Sequence, residues 1–432
     1  MTLRLAVWSP LPPSPSGIAD YVAESLPHLA RHAEVSVVAE DPGSALPAVD
    51  LDLYHLGNSP AHAFVYRAAR TRPGVAVLHE WSLHHLVLSE TVERGDVSAY
   101  LHEMRRAHGD KGTFVGRQVA RALGGDLLPA LFPLNDRILE GSLGIVGLTQ
   151  FVASRAAARV PRRPVLHLPH HLALPFDPLP SREEARKVLG LPDAALVVTA
   201  PGLATATKRL DVAIRVAAQL RGRHPSLRLV VAGEVDPSLP VEEWAREAGL
   251  GPALTVTGRL GLEDFVRHIV AADVVLALRF PSHGEISGGL VRALGVGRPA
   301  LVTAGTPAAE EFPEGIVVPI DPGPRETDEL GAVLDRLLAD RDLREAMGRV
   351  AREHVRTHND IALTTEQLAR FLQDVLGRKD AILASLAPHN AAEGSLLAYL
   401  LDEVRWSALD LGLDGVPAGI ETLLAQLAAD RR

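Results

Sequence analysis

The sequence predicts an α/β protein built as two doubly wound halves in tandem. Three observations carry this reading. Short apolar runs alternate with amphipathic helical segments from the first residues onward, the pattern of a mainly parallel sheet covered on both faces. The alternation is interrupted at Pro175–Ser181, PFDPLPS, and then restarts. At 432 residues the chain is also too long for one ordinary domain.

The first half opens with the strand Leu3–Trp8. The prolines of Ser9–Gly17, SPLPPSPSG, exclude regular structure there. A helix follows, with Ile18, Val22, Leu26 and Leu29 on one face. Further strands are expected at Glu34–Ala39, Asp52–Gly57, Val75–His79, Gly144–Leu148 and Val165–Leu168. In the second half they are expected at Leu196–Ala200, Leu227–Ala232, Leu254–Thr257, Asp273–Leu278, Pro299–Thr303 and Ile316–Ile320. A helix starting near Arg209 carries Leu210, Ile214, Ala217 and Ala218 on one face. From Asp328 the chain reads as helical through Leu334, Leu337, Leu338, Met347 and Val350. The expected domains are 1–175 and 176–360, followed by a helix in 361–378 that packs back toward the first half. A helical tail, 379–432, follows, with no readable role. Ligands of such sheets sit at the carboxyl ends of the strands, so the natural site is the cleft between the halves.

Composition narrows the function. Hydrophobic residues make up 47% of the chain and charged residues 22%, enough for a sizeable core. A net charge of -9 argues against general nucleic-acid binding, which needs a basic face. The absence of cysteine excludes disulfides, zinc–thiolate sites and cysteine nucleophiles. The first residues lack the apolar core of a signal peptide, and no run is apolar for the ~20 residues of a membrane span. A cytoplasmic protein is expected, with peripheral membrane contact left open.

The stretch Arg279–Pro299, RFPSHGEISGGLVRALGVGRP, organises the second half. A strand leads into a loop, and Gly288 and Gly289 then open a helix whose backbone N–H groups and positive end suit phosphate. Glu285 would repel phosphate and suits the hydroxyls of a sugar ring instead. Ser287 and Arg279 flank the same cleft. The same pattern also fits a βαβ crossover with a glycine-rich turn. Earlier, Val197–Asp211 places Gly202 after a strand and Lys208-Arg209 at a helix start, a plausible diphosphate grip. Lys111, Lys187, Lys208 and Lys379 are the only lysines, which singles out Lys208 at a loop–helix junction, although a solvated lysine fits too.

In the first half, Gly17 sits where a strand loop meets a helix and allows close backbone approach to a ligand. Val77–Trp81 places His79 and Glu80 at the carboxyl end of a strand, and Asn58 follows another. A satisfied structural histidine is an equal reading of His79. His79–Leu83 fails as a zinc-protease motif because Leu83 stands where the second histidine belongs. Asp50-Leu51-Asp52 resembles a metal-binding Asp-x-Asp, but it leads straight into a strand and reads as structural. No dinucleotide fingerprint and no nucleophile elbow occurs.

Taken together, SGIADYV, HLGNSPAH, VLHEWSLHH, LTQFVASRA with LHLPHH, GLATATKR, VAGE and GEISGGLVRALGVGRP resemble the family-four retaining glycosyltransferases of the GT-B fold. Their order covers the chain to about Leu376. The resemblance implies two Rossmann-like domains facing across a cleft, with a nucleotide-sugar donor held mainly by the second. The acceptor, on the first domain's side, is a glycan, a lipid-linked sugar or a small molecule. It implies Glu285 and His79 as catalytic residues. Lys208, Arg209, Gly17, Gly288 and Gly289 would grip the diphosphate, and Gly202, Arg279, Ser287, Asn58 and Glu80 would line the cleft. No cofactor and no metal are expected. Two positions depart from the family. Leu203 stands where an arginine is usual, and Arg292 stands where a glutamate usually meets the ribose. The first family glutamate falls on Gly284, beside Glu285, which suggests a variant subgroup with a Gly-Glu-x-Ser-Gly motif. A GT-B nucleotide-sugar epimerase and a non-catalytic nucleotide- or partner-binding subunit remain alternative readings.

Overall fold

The computed structural model describes residues 2–393, apart from 15, 44–47 and 126, together with Gly419. Six strands build the first half: β1 Leu3–Trp8, β2 Ala33–Val38, β3 Leu51–Leu56, β4 Val75–Leu78, β5 Gly144–Gly147 and β6 Val165–His167. Six more build the second: β7 Leu196–Pro201, β8 Leu227–Ala232, β9 Leu254–Val256, β10 Val274–Ala277, β11 Ala300–Thr303 and β12 Val318–Ile320. The two sheets run in the orders β2-β1-β3-β4-β5-β6 and β12-β11-β10-β7-β8-β9, every pairing parallel. With helices on both faces of two parallel sheets, this is the GT-B fold.

Burial on both faces explains the composition of the strands. β3 and β4 are buried along their whole lengths, and Leu53, Leu56, Val75 and Leu78 are completely enclosed. The second core gathers Val198, Leu229, Val231, Val274, Leu276 and Leu301 under the helices Leu210–Leu220 and Glu326–Ala339. Asp50-Leu51-Asp52 has a structural role, as its sequence suggested. Asp50 pairs with Arg4, while Asp52 accepts a 2.8 Å bond from Trp8 Nε1 and pairs with Arg72.

Strand order also locates the crevices. In the first sheet the chain reverses its direction of travel between β1 and β3, and in the second between β7 and β10. At such switch points the following loops diverge to opposite faces and leave an opening above the strand ends. The four loops concerned are 9–16, 57–59, 202–205 and 278–287, and they carry or adjoin most of the residues singled out in the sequence.

Several element boundaries differ from the sequence reading. β3 begins at Leu51 and ends at Leu56, so Gly57 belongs to the loop, and His79 lies beyond β4. β12 begins only at Val318 because Glu314 and Val317 close a local bridge first. The helix Val97–Ala120 is broken at Gly109, whose φ of 60° and ψ of -144° no helical residue adopts. The helix Ile361–Gly377 places Phe371 and Val375 against Gly144 at the start of β5. A separate compact unit begins at Gly377, and within it Lys379–Glu393 is helical. The rest of the expected tail, apart from Gly419, lies outside the described residues.

Candidate active site

The second half supplies the cationic wall. β7 ends at Pro201, and Gly202 turns the chain with a φ of 86°. Lys208 then folds back so that its Nζ donates to Pro201 O at 2.5 Å, beside Gly202. No carboxylate pairs with it among the described residues. Burial, with the Arg279 charge adding to it, pushes Lys208 down to about 7. The lysine is therefore not the solvated side chain that its position also allowed.

Arg209 has a different partner from the one its sequence position suggested. It adopts a left-handed conformation, with a φ of 56°, and its guanidinium lies 2.5 Å from the buried carboxylate of Glu326. Its charge is thus paired within the second half, with the carboxylate of Glu326. Leu203 is 53% exposed, so the place of the usual arginine is open rather than filled by packing.

The helix Gly288–Gly295 closes this wall. Ser287 precedes it without capping it through its side chain, which leaves the first-turn N–H groups to other partners. Space at its start is tight. A Cβ on Gly289 would stand 3.1 Å from the Pro201 ring, and one on Gly288 would stand 2.8 Å from Arg292 Nη1. The loop before the helix is tied to the Lys208 loop by Phe280 N, which donates to Thr207 O at 2.7 Å. Within that loop Glu285 accepts from His283 N at 2.6 Å and Ser282 Oγ at 3.2 Å, and lies 2.9 Å from Arg279 Nε.

The first half faces this wall with Gly17, Asn58, His79 and Glu80. Gly17 is exposed, and nothing lies within 4 Å of where a Cβ on it would stand. Asn58 commits its side chain inside the first half, to Leu86 N and His85, while its backbone N–H donates to Glu80 Oε1 at 2.7 Å. His79 is 8% exposed, with its Nε2 3.0 Å from His55 Nδ1 and its ring edge-on to Tyr21. Burial, reinforced by neighbouring histidines, holds His79 well below the usual histidine range, so it is neutral. His84 is structural, bonded to Phe132 O and Tyr100.

The two halves touch across the cleft. Trp81 N and Ser82 N donate to His283 O at 2.7 and 3.1 Å, and Thr149 Oγ1 donates to Gly284 O at 3.2 Å. Arg259 reaches Pro13 O at 3.2 Å. His167 Nε2 lies 2.6 Å from Glu311 Oε1.

One further tie involves residues that sequence reasoning did not assign to the site. Glu24, in the helix Gly17–Leu29, bonds Arg292 of the second half and lies 3.1 Å from His171 Nε2. Although burial pushes Glu24 up, the His171 bond and the Arg292 charge hold it below the usual carboxylate range. Tyr21 stacks on His171 at 4.1 Å and meets His170 edge-on, and His170 Nε2 faces the start of the Gly288 helix. The only sequence signal for Glu24 is its spacing from Asp20 on one helical face.

Residues 181–354 match the family described as glycosyl transferases group 1. The chain is 27% identical over 199 residues to alpha-D-kanosaminyltransferase of Streptomyces kanamyceticus, which covers 45% of this chain and 49% of that protein. It is 32% identical over 188 residues to D-inositol 3-phosphate glycosyltransferase of Saccharomonospora viridis, covering 40% and 42%. The matches thus span about half the length of these curated relatives. Among solved structures, sucrose-phosphate synthase of Thermosynechococcus elongatus superposes with a TM-score of 0.60 at 17% identity, covering 86% of this chain and 99% of that one. Anabaena HepE, in a complex with UDP-glucose, gives 0.58 at 16% identity, covering 86% and 99%. The chain therefore has the GT-B fold, and its residues 181–354 are similar to the group 1 glycosyl transferases.

Proposed function

We propose that the chain is a metal-independent retaining glycosyltransferase that moves a sugar from a nucleotide-sugar donor to a glycan, lipid-linked or small-molecule acceptor. It would belong to a variant subgroup marked by Gly284-Glu285-x-Ser287-Gly288. The observation that carries this is Lys208, a half-buried amine with no carboxylate partner among the described residues, beside Gly202 and bonded to Pro201, against whose ring the uncapped Gly288 helix packs. A cation in such a place is completed by an anion from outside the protein.

Breaking a sugar–phosphate bond builds positive charge on the sugar and negative charge on the departing diphosphate. Lys208 and the helix N–H groups meet the departing charge, and their preorganised arrangement makes this effective. Glu285 is held by Arg279, His283 N and Ser282 and accepts bonds from sugar hydroxyls. Neutral His79 would hydrogen-bond the sugar from the opposite half. The departing phosphate takes the proton of the acceptor hydroxyl, so this scheme needs no separate base. Contacts across the cleft exclude water and limit donor hydrolysis.

The acceptor side lies in the first half. There, exposed Phe114, Leu123, Leu127 and Leu131 share a stretch with exposed Lys111 and Arg121, a surface suited to an anionic membrane. Pelleting with anionic vesicles tests that contact. A thermal-shift screen against nucleotide sugars, followed by product analysis with and without EDTA, tests the main reading, since a bound donor raises stability by mass action. Sugar transfer that survives EDTA and keeps the anomeric configuration supports it. A second reading, a non-catalytic nucleotide-binding subunit, draws on the open place at Leu203 and the Arg292–Glu24 pair. Donor binding with neither transfer nor hydrolysis would favour it.

A further inference from the structure

We infer that Glu24, Arg292 and His171 form an ionic latch that holds the two halves together beside their hinge and releases in acid. The three are positioning residues. They set the separation of the walls that carry Lys208 and His79. The inference goes beyond the glycosyltransferase reading and does not depend on it.

The latch stands where the halves are hinged. The chain passes between them twice, after β6 and again between the helices Arg341–His358 and Ile361–Gly377. The two passages are tied to each other. Leu172 N donates to Asn359 O at 2.6 Å, and Asn359 Nδ2 donates to His170 O at 2.8 Å. His171 lies in the first passage. Its Nε2 bonds one oxygen of Glu24 at 3.1 Å, and Arg292 of the second half bonds the other. One carboxylate on the helix Gly17–Leu29 therefore holds both the hinge and the opposite wall. A Cβ on Gly288 would stand 2.8 Å from Arg292 Nη1, so the latch lies directly against the start of that helix.

This tie differs in chemistry from the others across the cleft. Trp81, Ser82, Thr149 and Arg259 donate to carbonyl oxygens, while His167 and His283 bring histidines toward Glu311 and Glu80. Glu24 and Arg292 pair two full charges away from water. Arg292 is 8% exposed, and the side chains of Glu24 and His171 are 13% and 1% exposed. Arg292 Nε has no partner among the described residues, so the guanidinium depends on Glu24. Protonating Glu24 would strand a buried arginine, which regains its hydration when the halves separate.

The titratable and charged groups around the latch come from every element packed on it. They are Asp20, Tyr21 and His28 on the same helix as Glu24, His170 and His171 in the hinge, and Arg292 and Arg259 from the second half. Against burial, which pushes it up, the His171 bond and the Arg292 charge hold Glu24 below the usual carboxylate range. The latch is therefore present above that range and is lost as pH falls through the depressed value.

The test needs no donor. The chain has no cysteine, so one pair of spin labels can be placed without background. Glu40 follows β2, and Glu263 lies in the first turn of the helix after β9; both are exposed, at the carboxyl ends of edge strands. With Glu40→Cys and Glu263→Cys in the full-length protein, the distance between the halves is measured across the pH range in which circular dichroism shows the fold intact. Wild type should give one short distance at neutral pH and shift to longer, broader distances in acid. Glu24→Gln should show the longer distances already at neutral pH. His171→Phe keeps a ring against Tyr21 and removes a bond that lowers Glu24, so it should move the opening to higher pH. Glu24→Gln with Arg292→Leu leaves no charge stranded and covers the case in which Glu24→Gln folds poorly. Its distance should not move with pH. A merely structural role would lower stability and leave these distances alone. A wild-type distance unchanged down to acid unfolding, a Glu24→Gln profile that matches wild type, or acid opening that persists in the double variant would overturn the latch.

Discussion

Replacing Lys208 with Met should change how the protein binds a nucleoside diphosphate as the pH rises. Burial and the nearby Arg279 charge bring the amine from an ordinary 10.5 down to about 7. That displacement corresponds to a cost of about 5 kcal/mol, as an upper bound, for holding the ammonium in the folded chain. The unfolded chain keeps this proton up to pH 10.5 and the folded chain only to about 7. Stability therefore rises with pH between those values, and the full cost applies below pH 7. Lys208→Met should raise the melting temperature of the empty protein most strongly below pH 7, with the gain fading toward pH 10.5. Binding reverses the preference, because a diphosphate favours the ammonium. Wild type should take up a proton on binding, and its affinity should fall by up to about tenfold per pH unit above pH 7. Calorimetry with UDP and other nucleoside diphosphates, in buffers of different ionisation heat, measures both effects. Lys208→Met should bind roughly tenfold to a hundredfold more weakly at pH 7 and lose the pH slope. Wild-type affinity that is flat with pH, or a slope that persists in Lys208→Met, would refute the placement of the phosphate beside Lys208.

Leu203→Arg places the usual family arginine at a position that is 53% exposed, so it should tighten diphosphate binding without loss of stability, as titration and melting would show. Glu285→Gln keeps the shape and removes the charge. It should lower turnover strongly while leaving nucleoside-diphosphate affinity nearly intact, and unchanged turnover would remove Glu285 from the site. Glu24→Gln leaves Arg292 without its carboxylate and should cost about 3–5 kcal/mol, much of it recovered when Arg292→Leu is added. Glu24 is held below its ordinary range, so its contribution is present above that range and is lost as pH falls through the depressed value. Wild type should accordingly lose stability in acid more steeply than Glu24→Gln, as denaturant titrations at several pH values would measure.

The fold was legible because parallel strands buried on both faces leave a strong local signal. β3, LDLYHL, and β10, VVLA, are read from composition alone, and the prolines of 175–181 mark the interruption. Strand ends were less legible, since where a parallel pairing stops depends on the neighbouring strand. His79 looks like part of a strand by sequence, yet it stands beyond the end of β4. The environment of Lys208 was not legible either. Its amine folds back onto the Pro201–Gly202 turn, and no local spacing encodes that. Arg209, its neighbour, looked equivalent in sequence, but a left-handed backbone turns it to Glu326, 117 positions away.

The Arg292 position shows why a departure from a motif cannot be judged at its own position. A buried arginine where a carboxylate is expected would be costly if it stood alone, because desolvation penalises an unpaired charge. The chain meets that requirement with Glu24, 268 positions earlier and in the opposite half. The helix Gly17–Leu29 therefore carries an exposed glycine at its start and, two turns later, the carboxylate that meets the other half. His171 fixes the carboxylate through its second oxygen, and Tyr21 stacks on His171 from the same helix. Within a single half, Arg292 is an unexplained charge and Glu24 an unremarkable helical glutamate. Their fit exists only when the halves meet, so the charge at position 292 is linked to closure of the cleft. Pulling the halves apart leaves two charges to be rehydrated and breaks the contacts around Trp81 and His283 at the same time.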